Sequence, residues 1–458
     1  MDRSPLRKRL EILFNGGMPT LKPRKYLEAL KRSASALDLQ VNLAKRRLAT
    51  FSGAILLGLV AIGFAWAGDR AQHVFRSFQL RFEYAPLILT PLGFAFAAAV
   101  ARRWAPAAKG SGIPQVMAAG RRPELAGALL SLPTALIKLV LTTLLLLVGA
   151  SVGREGPTVQ VSAAIMVAFH RFLRVPLTSG VLIAGGAAGV AAAFNTPLAG
   201  VAFAIEELAA AFEQRVAVLV MGAVVVAGLV SLALAGDYVY FGAMRQTLGL
   251  SGMLLVPPVA GIAGGAVGGL FSRTILAFAR GNGRFATAAR SHPVRAAFLS
   301  GIVVASLGVA SGGLTWGTGY ETTRLLIEGY GEAPIWFGPA KLAATAATAI
   351  SGVPGGIFAP SLSVGAGFGE LLSRCFPSYP AGAIVLLGMV GYFVGVVRAP
   401  LTAVIILMEA TASRGMIVPL FLTAIIADAV SKFVCHDKLY HGLAGLFDEK
   451  PAIAGQSK

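Results

Sequence analysis

The stretch Ser151–Val161, "SVGREGPTVQV", follows directly on "LIKLVLTTLLLLVGA" (Leu136–Ala150), one of the most apolar runs in the chain. An apolar run of that kind is expected to end in water. This one ends on an adjacent Arg154 and Glu155 boxed in by Gly153, Gly156 and Pro157. The pattern returns further on as "GIFAPSLS" from Gly356, with Gly153/Gly356 (356 − 153 = 203) and Pro157/Pro360 (360 − 157 = 203) in register. The same offset aligns "FNTPLAGVAFAIEEL" (194–208) with "VRAPLTAVIILMEAT" (397–411), pairing Pro197 with Pro400, Leu198 with Leu401 and Glu206 with Glu409. Gly185 and Gly388 keep it too. One ungapped offset across so many landmarks implies an internal duplication. We divide the chain into an N-terminal helical segment 1–48 at the cytoplasmic face or interface, repeats at 49–240 and 241–440, and a short cytoplasmic tail 441–458. Similarity alone leaves open whether the repeats are parallel or inverted.

The medium follows from composition. The 458 residues are 56% hydrophobic and 13% charged, against roughly 25% charged in soluble domains, and the mean hydropathy is +0.72. Several runs reach the ~20 apolar residues that cross a bilayer; 126–150 is the clearest, with others at 51–67, 215–235, 253–271 and 296–315. Further runs (181–194, 199–210, 357–369, 383–397, 401–410) are short and punctuated by Gly or Pro. They predict broken or re-entrant helices whose irregular backbone lines a protein cavity. The fold expected is all-α and polytopic.

The net charge is +19. Twelve of the forty basic residues lie between Arg3 and Arg47, ahead of the first apolar run. Cytoplasmic retention of basic flanks accounts for that placement. Nucleic-acid binding does not, because no aromatic interleaving or known motif accompanies the charge. We expect both termini inside, the C-terminus from Lys432 and Lys438. No cleavable signal peptide is legible, and 24–47 reads either as an interfacial amphipathic helix or as a charged leader. Two cysteines, Cys375 and Cys435, and five scattered histidines give no metal-type spacing. Neither a metal nor an organic cofactor is expected, nor is a nucleophile–base pair legible that would make the chain an enzyme.

Three stretches carry the chemistry: "GSGIP" (Gly110–Pro114), "GREGP" (Gly153–Pro157) and "GGIFAP" (Gly355–Pro360). Proline suits the first helical turn, and glycine lets backbone approach a ligand. Each stretch reads as a helix N-terminus, with unpaired N–H groups and about half a positive charge. Several such ends converging at membrane depth make an anion site from neutral backbone. Taken singly, each could be an ordinary loop–helix start outside the lipid. Paired interrupted segments in two halves point instead to a transport site at their junction.

These stretches, with "AAAFNTPLAGVAFAIEE" and "KLYHGL", resemble the signature motifs of the CLC family of chloride channels and chloride/proton exchangers, in the family's order and over nearly the whole membrane region. The resemblance implies inverted repeats and a homodimer in lipid with one pathway per subunit. In a compact chain without a cytoplasmic domain, it implies a bacterial inner or plasma membrane. It further implies that a central chloride is held by the hydroxyls of Ser111 and Tyr440 and the backbone N–H groups of Ile357 and Phe358, with Gly110, Gly112, Pro114, Arg154, Gly156 and Lys138 in support. Glu155 would be the gating glutamate and Glu207 the inner proton glutamate. A serine in "GSGIP" fits chloride over nitrate.

Elementary physics supports the assignment of Glu155, because an ionisable group at membrane depth is functional by default. A carboxylate beside anion-binding helix ends competes with the anion for its seat, and protonation releases it. The bland alternative is a surface Glu paired with Arg154. For the two acids of "AIEEL", the bland alternative is a helix end facing water. Glu206 has its counterpart in Glu409, which suggests a structural role shared by both halves, whereas Glu207 aligns with Ala410. Channel members generally lack an acid at the Glu207 position, so exchange is expected, and a passive chloride channel is the alternative. Outside this family, a cation-coupled transporter of organic solutes is also built on repeats. Lys138 either snorkels to an interface or lends positive potential to the inner entrance. Gln115 departs from the acid often found there.

Overall fold

The computed structural model describes residues 23–208, 214–236, 239–281 and 283–448. The beginning of the 1–48 segment and the tail beyond Asp448 lie outside them. The chain divides into two units, Met1–Leu48 and Ala49–Lys458. The described residues are almost wholly helical, as the composition and breaks predict.

In chain order the helices are α1 (Pro23–Arg81), α2 (Pro86–Trp104), α3 (Ile113–Arg121), α4 (Ala126–Leu129), α5 (Leu132–Leu147), α6 (Glu155–Phe172), α7 (Ser179–Phe194), α8 (Pro197–Phe203) and α9 (Gln214–Ala235). The second half supplies α10 (Leu250–Arg280), α11 (Arg284–Ser291), α12 (Pro293–Ala310), α13 (Tyr320–Glu328), α14 (Phe337–Ser351), α15 (Phe358–Cys375), α16 (Ala381–Val397), α17 (Pro400–Thr411), α18 (Ile417–Val434) and α19 (Leu439–Asp448). The offset read from sequence recurs in the helix starts: 358 − 155 = 203 and 400 − 197 = 203.

By length and composition, 6 helices among the described residues are long and apolar enough to cross a membrane. The chain is a multi-pass integral membrane protein. The run 126–150, read as the clearest single span, is instead bent by 51° between 123–129 and Leu132–Leu147. Pro133 explains the bend. It has no N–H for a continuing helix, and its ring would meet the carbonyl one turn back. The chain therefore breaks at Leu130, and the Ser131 side chain caps α5 by accepting from the Thr134 N–H (3.4 Å). The run 357–369, expected to be short, extends to Cys375 as α15, because Glu370 is tolerated in the interior with Arg374 3.7 Å away.

The other short segments are real helices with shared stop signals. Asn195 and Arg398, equivalent by offset (398 − 195 = 203), both adopt left-handed backbone at φ 55 and 60. A proline then opens the next helix in each case, Pro197 and Pro400. Non-glycine residues rarely take that conformation. Arg398 is held in it by hydrogen bonds to Asp428 Oδ1 (3.2 Å) and the His436 carbonyl (2.9 Å).

Helices α7 and α16 are buried on nearly every face, as expected of helices apolar all round. They form the protein-facing centre, α7 against α6 and α9, α16 against α15, α10 and α18. Lipid tails are as apolar as leucine, so this packing relies on close backbone approach. A Cβ added to Gly268 of α10 would lie 2.6 Å from the Tyr392 carbonyl oxygen of α16.

The two halves join by a reciprocal exchange of caps. Glu206 accepts from the N–H groups of Leu401 (3.1 Å) and Thr402 (2.7 Å) at the start of α17. Glu409 accepts from Leu198 (3.2 Å) and Ala199 (2.9 Å) at the start of α8. All three residues shift by 203, so the contact maps onto itself under a two-fold operation that relates the two halves. The structural role expected of Glu206 is this cap. Replacing either acid by alanine should cost about 1–2 kcal/mol, read as a lower melting temperature in detergent. An unchanged melting curve would contradict the exchange.

Candidate functional site

The three glycine-rich stretches open α3, α6 and α15, whose first residues are Ile113, Glu155 and Phe358; none has a side-chain cap. Proline falls in the first turn of each: Pro114, Pro157 and Pro360. Their loops are laced together. Gly153 and Gly356 exchange two backbone hydrogen bonds, N–H to O 2.7 and 2.8 Å, in an antiparallel bridge. Gly110 donates to Val353 (3.2 Å) and accepts from Gly355 (3.1 Å). Gly110 and Gly112 hold positive φ (62 and 104), which a side chain would resist. The junction thus satisfies loop backbone that lipid could not and brings the N-termini of α6 and α15 together.

Against these ends lie the expected ligands. Ser111 Oγ and Tyr440 Oη are sealed from solvent, and neither makes a hydrogen bond of ordinary geometry with protein. Tyr440 Oη faces the Ser111 hydroxyl, the two lying close enough to interact, and Glu155 and Glu207 lie within electrostatic reach of it. The Tyr440 ring stacks on Phe358 at 6.0 Å and 16°, which fixes the hydroxyl. A side chain at Gly156 would run into Ser111. Orphaned buried hydroxyls are costly, about 1–3 kcal/mol each. Two of them beside uncapped helix N-termini make a seat for an acceptor-only ligand, that is, an anion.

Glu155 closes the seat from the other side. It is 1% exposed; Oε2 accepts from the Ala359 N–H of α15 (3.4 Å) and Oε1 from Tyr240 Oη (3.5 Å). Both contacts are long. Arg154 is not its surface partner: the guanidinium donates to the Ala65 carbonyl (2.6 Å) and Asp69 Oδ1 (2.7 Å). Two cavities flank this point. One, of about 490 Å³, reaches Gly110, Ser111, Ile357 and Tyr440. The other, of about 570 Å³, reaches Arg154, Tyr240 and Thr318.

Lys138 does not snorkel. Wholly buried, it donates to the Gly110 carbonyl (2.7 Å), the same oxygen that accepts from Gly355, and so ties "GSGIP" to "GGIFAP". Gln115 donates to the carbonyls of Ala107 (3.0 Å) and Lys109 (2.7 Å), a task no carboxylate could perform. Glu207 is buried in the π-helical turn Ala204–Leu208 that follows α8, so the reading of a helix end facing water does not hold for it. Its partner is Lys438, 3.2 Å away.

Two neighbours escaped the sequence reading. Lys341, buried and donating to the carbonyls of Thr315 (2.9 Å) and Gly317 (2.8 Å), is Lys138's repeat mate (341 − 138 = 203), and the offset could have found it. Tyr240 stands in a loop without motif, and no signal pointed to it.

The family model for the voltage gated chloride channel matches residues 93–432. The chain belongs to that family. Among relatives, it is similar to the H(+)/Cl(-) exchange transporter ClcA of Yersinia pestis bv. Antiqua, 30% identical over 388 residues and 79% of each chain. That of Citrobacter koseri is 28% identical over 415 residues, 84% of each chain. Among solved structures, a slow cyanobacterial Cl-/H+ antiporter superposes with TM-score 0.75 at 23% identity, covering 88% of this chain and 98% of that one. A CLC-type fluoride/proton antiporter gives 0.73 at 22% identity with the same coverages. These likenesses confirm the voltage-gated chloride channel fold.

A Cβ on Gly153 would collide with Glu155 Oε2. Gly153→Ala should therefore push the carboxylate off the Ala359 N–H and make anion passage less dependent on pH than in the wild type. A pH–flux curve identical to the wild type's would contradict that packing.

Proposed function

We propose that the protein is a chloride/proton antiporter in which Glu155 and chloride compete for one seat. The observation that carries the reading is the Glu155 carboxylate resting on a helix N-terminus beside two unpartnered buried hydroxyls. Stripping a small ion of water for a low-dielectric interior costs an idealised ~20 kcal/mol. The N–H groups of Ile357 and Phe358, with Ser111 and Tyr440, supply partial charges that offset this without holding the ion too tightly to leave. An ionised Glu155 fills the seat; a protonated one is neutral and yields it. One side chain then links the two ions, because a proton on Glu155 frees the seat that chloride occupies.

Glu207 supports exchange over passive conduction. It is a buried acid without a repeat counterpart, within electrostatic reach of Tyr440, and it offers a second proton station. The named activity of the ClcA relatives agrees. All ligands of the seat come from one chain, so a homodimer would carry two complete pathways in lipid. The basic N-terminal segment supports cytoplasmic termini, and bacterial relatives support an inner membrane. No metal or organic cofactor has a part in this mechanism.

In proteoliposomes, a chloride gradient should drive uphill proton movement. Glu155→Ala should pass chloride while losing proton coupling at least tenfold; loss of all chloride flux would contradict the gate. Glu207→Gln should cut proton flux selectively, and undiminished proton flux would remove it from the path. Tyr440→Phe should weaken chloride binding several-fold by calorimetry, and unchanged affinity would strike it from the ligand set.

A further inference from the structure

Glu207 is sealed, its side chain 0% exposed, so its proton must arrive through something else. Two side chains stand over its carboxylate, both from the segment that carries Tyr440. Lys438 Nζ is 3.2 Å from Oε1 and His441 Nδ1 3.6 Å from Oε2, with Lys438 30% and His441 39% exposed. Both line a cavity of about 840 Å³. Glu207 Oε2 and His441 Nδ1 each lack a hydrogen-bond partner, and a closure of about 0.5 Å would bring them into hydrogen-bond range.

Resting on the antiporter reading, we propose that His441 passes protons between this cavity and Glu207, while Lys438 holds the Glu207 carboxylate in place beneath it. Of the side chains over the carboxylate, imidazole is the type suited to passing a proton on. In the step, the Nδ1–H bond breaks with its electron pair left on the ring, and an O–H bond forms at Glu207 Oε2. The neutral ring then takes a proton from hydronium in the cavity, which is left as water. The charged groups facing His441 are Glu207 and Lys438, with Arg121 of α3, Arg280 of α10, Arg290 of α11 and Asp437 around the cavity. Arg280 is paired with Asp437, and Arg121 with Asp448.

The test is paired chloride and proton flux in proteoliposomes for the wild type, His441→Asn and His441→Gln, with and without millimolar imidazole. Both variants should move protons about tenfold more slowly at pH 7 while chloride flux persists, and imidazole should restore most of the loss, a rescue that a merely structural histidine would not show. Undiminished proton flux, or a loss that imidazole leaves unchanged, would overturn the relay. A wild type that moves chloride without protons would instead overturn the exchanger reading itself.

Discussion

Backbone amides left unpaired in hydrocarbon cost several kcal/mol each, yet a halide can be held at membrane depth only where some amides are free to meet it. The double hydrogen bond between Gly153 and Gly356 reconciles these demands. It consumes the loop groups that must not be left bare, and it aims the N-termini of α6 and α15 at one place. Equivalent residues paired antiparallel lie on a local two-fold axis. The bridge is therefore the junction of the inverted repeats as well as the base of the anion seat. Gly110, bonded both to Val353 and to Gly355, brings the third helix end to the same point.

The function arises where the symmetry fails. Glu206 and Glu409 are equal partners and only hold the halves together. At the first position of α6 stands Glu155, and at the equivalent position of α15 stands Phe358, since 358 − 155 = 203. One copy carries an acid there; the other carries a phenyl ring that stacks on Tyr440. Glu207 aligns with Ala410, so the second acid also exists in one half only.

The backbone part of this was legible because helix breaks are encoded locally. The 203-residue offset, the prolines and the paired Glu206 and Glu409 all predicted features the structure contains. The bend before α5 was encoded too, in Ser131 and Pro133, but leucine-rich surroundings concealed it. Less legible was whatever depends on residues meeting across the bundle. Arg154 turns to Asp69, not Glu155, because the helix start points its side chain away from the seat. Tyr240 reaches Glu155 from a loop whose sequence carries no periodic or motif signal. The Lys438–Glu207 pair joins residues 231 positions apart, and no local pattern anticipates such a contact.

The most direct measurement is anomalous diffraction from crystals of the purified protein soaked in bromide. A peak within hydrogen-bond reach of Ser111 Oγ, Tyr440 Oη and the amides of Ile357 and Phe358, stronger in Glu155→Gln crystals, is the expected result. Bromide found only at the surface, with that junction empty in both proteins, would contradict the account.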